Sequence, residues 1–355
     1  MENKNNQYII DAKNLNYKSL NNLIREKIKE LNQYNIYNNS YNNSYNNNFK
    51  GQNSVYEEQN IENQKSDFPK SVITSITTDI TEDTPAGTTK DMIVGTTKDT
   101  PVNITKDITA DVTTNMTIII KNVLGQRYIG DGIKNKINIK IYGTPGNDLG
   151  AFMDGPQIEV FGNCQDGTAN TLNSGKIIVH GECGDILGYS MRGGEVYIKG
   201  NVGWRTGIHM KSYKENYPVI VIGGNAGNFL GEYMAGGIIV VLGLLKDFNL
   251  SNLNLKDYSN RFYYSSMNSI TGGFVGTGMH GGVIYIRGDI EDNKIGKEVK
   301  KENVSLEDKK ILERYLNNFC KYFNIKFSDI TSKNFTNFIK LIPHSHRPYG
   351  KIYAY

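Results

Sequence analysis

The chain has 355 residues, a net charge of +4 and 38% hydrophobic residues, long enough for two or three average domains but too mildly charged to indicate nucleic acid or an acidic membrane as a partner. The opening MENKNNQYIIDAK contains no apolar stretch of signal-peptide length, and the longest apolar run, residues 236–245, is about half of the roughly 20 residues that a spanning helix needs, so a cytoplasmic protein is expected. Cys164, Cys183 and Cys320 include no CxxC pair, which argues against a disulfide framework and against an iron–sulfur site.

In chain order, residues 1–32 read as a strand around Ile9 and Ile10 and a helix carrying Leu20, Leu23, Ile24, Ile28 and Leu31 at helical spacing. Residues 33–115 differ in kind. An Asn/Tyr tract gives way to a degenerate Thr/Asp/Lys repeat with TKD at 89–91, 97–99 and 105–107, and its apolar content is too thin to stack a core. This segment is expected to be a low-complexity, disordered insertion. Strand-like sequence returns at residues 117–120, so the insertion splits an ordered strand–helix–strand piece.

Residues 116–290 carry an internal repeat. Strand-like segments end in glycine at Gly143, Gly162, Gly181 and Gly200, three equal steps of 19, and the series continues at Gly224, Gly243 and Gly288 with longer steps. Four residues before these glycines stand Ile139, Ile158, Ile177, Val196, Ile220, Ile239 and Ile284. Two residues before them stand Ile141, Val160, Val179, Ile198, Ile222, Val241 and Ile286. Every member of both columns is aliphatic and β-branched, as a strand face stacked rung on rung requires. Ten residues past the rung glycine come Met153, Leu172, Met191, Met210 and Met234, a second interior stripe. The fold class expected is all-β: a right-handed, single-stranded parallel β-helix of about seven coils with flanking α-helices at both ends.

Several rungs are followed by G-x2-G-x3-G: Gly143, Gly146 and Gly150; Gly181, Gly184 and Gly188; Gly200, Gly203 and Gly207; Gly224, Gly227 and Gly231, while the rung at Gly162 departs. The last copy reads as Gly273 and Gly276 with His280 in third place. Such a spacing also occurs in phosphate-cradling loops, but those need one copy opening a helix, whereas these recur rung after rung and lead into strands. The glycines are therefore assigned as structural corners.

Residues 291–355 read as a helical extension and tail. Ser305 and Asp308 form a capping box that opens a helix running to about Tyr322, and a second helix is expected from Asp329 to Leu341, closed by Pro343.

No catalytic, cofactor-binding or metal site emerges from these residues. Cys164 and Cys183 each lie two residues past a rung glycine and should stack on adjacent coils, either as a redox pair or as two small side chains in a corner column. His344 and His346 could share a metal or belong to a hydrogen-bonded tail, and no third ligand is evident nearby. The outward column Tyr142, Phe161, His180, Lys199, Gly223, Leu242 and Arg287 shows no acidic ladder of the kind a polysaccharide-cleaving β-helix would use, and a six-residue acyltransferase step is missing. A second outward column runs Lys140, Glu159, Ile178, Tyr197, Val221, Val240 and Tyr285. Its last five members are apolar or aromatic and must be covered, in part by the C-terminal helices and in part by a partner.

The segments GTPGNDLGAFMDG (143–155), GNCQDGTANTLNSG (162–175), GDILGYSMRGG (184–194), GNVGWRTGIHMK (200–211), GGNAGNFLGEYMAGG (223–237) and GTGMHGGVIYIRG (276–288), with QRYIG (126–130) and SHRPYG (345–350), resemble the C-terminal β-helical GXGXG domain of the glutamate synthase large subunit in a free-standing form. In that family a glutaminase domain releases ammonia and an FMN and iron–sulfur domain carries out the reduction, while the β-helix organises the two. The resemblance implies a non-catalytic scaffold subunit of an oxidoreductase in glutamate biosynthesis. It would bind no cofactor itself, and FMN and an iron–sulfur cluster would be carried by partner chains: a glutamate synthase catalytic chain and a glutaminase chain. The similar repeats of the β-helical subunit of formylmethanofuran dehydrogenase offer the alternative, and QRYIG, GNCQDGTANT and SHRPYG favour the first.

Overall fold

The computed structural model describes residues 7–30, 32, 116–213, 216–244, 270–332 and 334–344. The insertion expected at 33–115, residues 245–269 and the ending 345–355, with His346, lie outside the described residues.

Strand β1 (Gln7–Asp11) is followed by helix α1 over residues 17–30, which buries Leu20, Ile24 and Ile28 on one face at a spacing of four. Strand β2 (Thr117–Leu124) then lies parallel to β1, from Gln7 opposite Thr117 to Asp11 opposite Lys121. The strand–helix–strand piece is thus interrupted in sequence but closed in space.

Seven strands build the body: β3 (Asn138–Thr144), β4 (Asp154–Phe161), β5 (Ser174–Val179), β6 (Glu195–Ile198), β7 (Val219–Ile222), β8 (Ala235–Val241) and β9 (Gly281–Arg287). Each pairs in parallel with the next, and the sheet order follows the chain from β1 to β9. The result is a parallel β-solenoid in which six turns carry β3 up to β9. The register aligns the two aliphatic columns residue for residue, Ile139 on Ile158 on Ile177 and so on to Ile284. All fourteen of these side chains are 0% exposed. Met153, Leu172, Met191, Met210 and Met234 are also fully buried and line the opposite wall of the same core. Stacking like on like lets each branched side chain fill the gap above its predecessor, which yields crystal-like packing.

The upper edge departs from expectation. Instead of a helix from Asp329 to Leu341, the chain makes one short turn, α3 (Phe327–Ile330), and then a strand, β11 (Phe338–Pro343). Strand β11 runs antiparallel to β9, and β10 (Val299–Asn303) runs antiparallel to β11. Left bare, β9 would present a row of unpaired N–H and C=O groups above an apolar core. Ile339 and Leu341 of β11 continue the two aliphatic columns opposite Ile286 and Ile284, and this burial outweighs the helical spacing of Phe335, Phe338 and Leu341.

Helix α2 (Leu306–Phe323) is opened by the expected capping box, with Ser305 and Asp308 bonded reciprocally, and is closed by Asn324 in the left-handed region at φ 53°. Its apolar face, Leu312, Leu316, Phe319 and Phe323, lies on the outside of the sheet. Beneath it are Ile178, Tyr197, Val221, Val240 and Tyr285, none more than 1% exposed. The outward stripe for which a partner was expected is thus covered entirely by this chain, and it provides no docking face. Among the described residues no helix is long and apolar enough to cross a membrane.

Candidate functional site

Beyond the closed core and the outer face sealed by α2, the described residues form an arc opposite the strands and a groove beside α2.

The arc is built by the glycine-rich segments. In coil after coil the backbone enters the left-handed region at alternate residues: Asp148, Gly150 and Phe152; Ile186, Gly188 and Ser190; Arg205, Gly207 and His209; Phe229, Gly231 and Tyr233. Hydrogen bonds such as Ala151 N–H to Asp148 O and Met153 N–H to Gly150 O close one tight turn on the next. The central member of each set must be glycine for a second reason. A Cβ at Gly207 (φ 74°) would lie 2.5 Å from Ile239 Cδ1, and the same column meets Ile177 at Gly150, Ile220 at Gly188 and Ile284 at Gly231.

The first and second glycines of each repeat stack on the coil below. At Gly143 and Gly146 a Cβ would lie 2.1 and 2.2 Å from the carbonyl oxygens of Val123 and Gly125. At Gly181, Gly184, Gly203 and Gly224 it would meet a carboxyl or amide oxygen of Asn163, Asp166, Asp185 and Asn201. Those side chains accept backbone N–H bonds from the next coil: Asn163 from Glu182, Asp166 from Asp185, Asp185 from Trp204 and Asn201 from Asn225. Gly200 and Gly227 press on Glu182 and Trp204.

The last repeat needs a correction of register. Thr271 pairs with Ala226, so Gly272 sits above Gly227, and Gly276 (φ 70°) takes the third place, three residues before the buried Met279. Gly273 has open space around it and His280 is not a corner. The first glycine of this copy is Gly243, stacked on Gly224 and separated from Gly272 by residues 245–269, so counting back from Gly276 shifts the frame.

Cys164 and Cys183 do stack on adjacent coils, in a column continued by Val202 and Ala226. Both are buried, and burial together with the neighbouring Cys164 thiol pushes the Cys183 thiol well up, which disfavours the reactive thiolate. His180 stacks on Phe161, which stacks on Tyr142, with ring centroids 4.7 Å apart at each step, and its Nε2 lies 3.0 Å from Glu159. His344 is exposed and its N–H donates to Glu298 O. Among the described residues no group of three or more His, Cys, Asp or Glu side chains is placed to hold a metal ion.

What the residues did not announce is the outward face of the arc. Left-handed residues throw their side chains outward, and here many are rings. His209 and Tyr233 stack at 5.3 Å, Tyr189 meets His209 edge-on at 6.0 Å, and Phe229 stacks on Phe274 at 4.9 Å. Trp204, Tyr233 and Phe274 are 46%, 40% and 56% exposed. Arg205 lies over the Phe229 ring and pairs with the nearly buried Glu232 at 2.7 Å. The signal was present as residues two before and two after the third glycine, but nothing in their identity marks a left-handed backbone.

The groove beside α2, about 480 Å³, is polar. Lys176 Nζ contacts the Tyr322 hydroxyl at 2.7 Å and Glu195 at 3.4 Å, and Tyr197 donates to Glu195 at 2.8 Å. Burial pulls the Lys176 ammonium down, but Tyr322 and Glu195 outweigh it and hold the group above its usual range. These charges satisfy one another and pin α2 to the sheet.

A family profile, the GXGXG motif, matches residues 88–344. An uncharacterized protein of Methanocaldococcus jannaschii is 45% identical over 239 residues, which cover 67% of this chain and 85% of that protein. The match runs through every coil whose glycines are described above, and the chain belongs to the GXGXG motif family, that of the C-terminal domain of the glutamate synthase large subunit.

Proposed function

We propose that this chain is a non-catalytic scaffold subunit of a multi-chain glutamate synthase, holding a chain with FMN and an iron–sulfur cluster in register with a glutaminase chain. Membership of the GXGXG family carries the reading. The architecture is consistent with it: a stack whose interior is filled by aliphatic side chains offers rigidity and surface rather than an interior cleft.

The test is purification of the native assembly under mild conditions. Recovery with a flavin and iron–sulfur chain and a glutaminase chain supports the proposal. Recovery with a molybdenum or tungsten subunit moves the assignment to the formylmethanofuran dehydrogenase type, and conversion of glutamine or 2-oxoglutarate by the isolated chain overturns the non-catalytic role.

A further inference from the structure

The groove beside α2 contains one charge that the contacts pinning the helix to the sheet do not use. The Arg314 side chain is 70% exposed, and its ion-pair partner, Glu195, is 3.9 Å away, outside hydrogen-bond distance. Its guanidinium lies over the Tyr315 ring at 5.2 Å, which orients the fork without occupying its N–H donors. Across the groove, Lys176 Nζ is held in place by Tyr322 and Glu195. Glu195 is the single carboxylate among the described residues that line the groove, so two cations face one anion and one positive charge is left over.

The floor of the groove is bare for a reason that lies in the fold. Gly155, Gly175 and Gly194 follow one another on successive coils beneath it. A Cβ at Gly175 would lie 2.3 Å from Pro156 O, and one at Gly194 would lie 2.8 Å from Gly175 O. Coil stacking therefore keeps side chains off the floor, and the space of about 480 Å³ falls within the range of about 300–1,000 Å³ found for small-molecule sites. Tyr217, 57% exposed, stands at the side as a ring that a ligand can reach.

We propose that this groove binds a small organic carboxylate, with Arg314 and Lys176 facing the carboxylate and the rest of the ligand lying on the glycine floor beside Tyr217. A carboxylate fits on two counts. It balances the lining charges at two against two, and its planar pair of oxygens matches the guanidinium fork for a bidentate contact. The assignment is independent of the scaffold role proposed above, since it requires no reacting group and no partner chain.

Isothermal titration calorimetry of the full chain with succinate, citrate and inorganic phosphate, at an ionic strength held constant with sodium chloride, tests this. Saturable binding of succinate or citrate is expected. It should weaken about tenfold or more in Arg314→Gln, and Arg314→Lys, which keeps the charge and loses the fork, should restore it only in part. Because Arg314 is exposed on α2, both variants should keep the parent circular dichroism spectrum. The proposal is overturned if neither carboxylate saturates, if Arg314→Gln leaves the affinity unchanged, or if Arg314→Lys restores it fully. Binding of phosphate alone also overturns it, since that assigns the groove to a tetrahedral oxyanion.

Discussion

Substituting Gly207 by alanine isolates the demand that the coil geometry places on the third glycine. Three terms decide the outcome. Holding alanine at φ 74° costs about 1 kcal/mol. The new methyl lies 2.5 Å from Ile239 Cδ1 in a core with no exposure, so the isoleucine must leave its rotamer or the coil must shift, at about 1–3 kcal/mol. Alanine also restricts the unfolded chain, which returns about 0.4–1 kcal/mol. The net expectation is destabilisation by about 1–4 kcal/mol, read as a lower urea midpoint in far-ultraviolet circular dichroism.

The clash is with one atom, so it has a specific rescue. Ile239→Val deletes Cδ1 and leaves Cγ1 at an ordinary 3.6 Å. Alone it costs about 1 kcal/mol, but combined with Gly207→Ala the pair should fall short of the sum by at least about 1 kcal/mol. A midpoint for Gly207→Ala within about 0.5 kcal/mol of the parent, or strict additivity in the double variant, would refute the packing argument.

Asp308, almost fully buried, pays for burial but accepts from the Tyr285 hydroxyl at 2.5 Å and from the Ser305 backbone N–H at 2.8 Å, and pairs with Lys340 at 3.0 Å, which together hold its carboxyl at about 2. Because the folded value lies below the unfolded one, the contribution of about 2 kcal/mol is present above pH 4 and is lost as pH falls towards 2; Asp308→Asn should flatten that part of the stability profile. Phe319→Ala opens the contact between α2 and Gly223 and should cost about 3–5 kcal/mol while raising binding of an apolar dye to the uncovered stripe. Ile186 is a β-branched residue at φ 52°, so Ile186→Asn should stabilise by about 0.5–1 kcal/mol, seen as a higher melting temperature.

The strands were legible because the solenoid writes its register into the chain. Two aliphatic columns at fixed distance from a glycine survive any loop length between rungs, and all fourteen members proved buried and in register. The glycine columns recur at the same fixed distances, except in the last copy, where Gly273 was taken for the position that Gly272 holds. Residues 335–342 misled because Phe335, Phe338 and Leu341 fit both a helical face and a strand, and the tie was broken by the open edge of β9, a tertiary fact. The apolar stripe was read correctly as needing cover, but the extent of cover was not. Whether α2 spans five coils depends on its angle across the sheet, which no spacing encodes. The left-handed aromatics of the arc were missed altogether, since Phe152, His209 and Tyr233 look like ordinary loop residues until the turns are built.

The two sides of the solenoid differ in how they spend conformational energy. Under α2, Ile178, Tyr197, Val221, Val240 and Tyr285 are strand residues and the surface is sealed by apolar contact. On the arc, non-glycine residues are held in the left-handed region in nearly every coil, at about 1 kcal/mol each. Glycine or asparagine would hold the same turns with less strain, so stability alone does not select rings there. What the rings add is an outward face that is rigid, spaced at the coil repeat and half exposed. A scaffold gains from such a face because rigid aromatic side chains lose little entropy when covered.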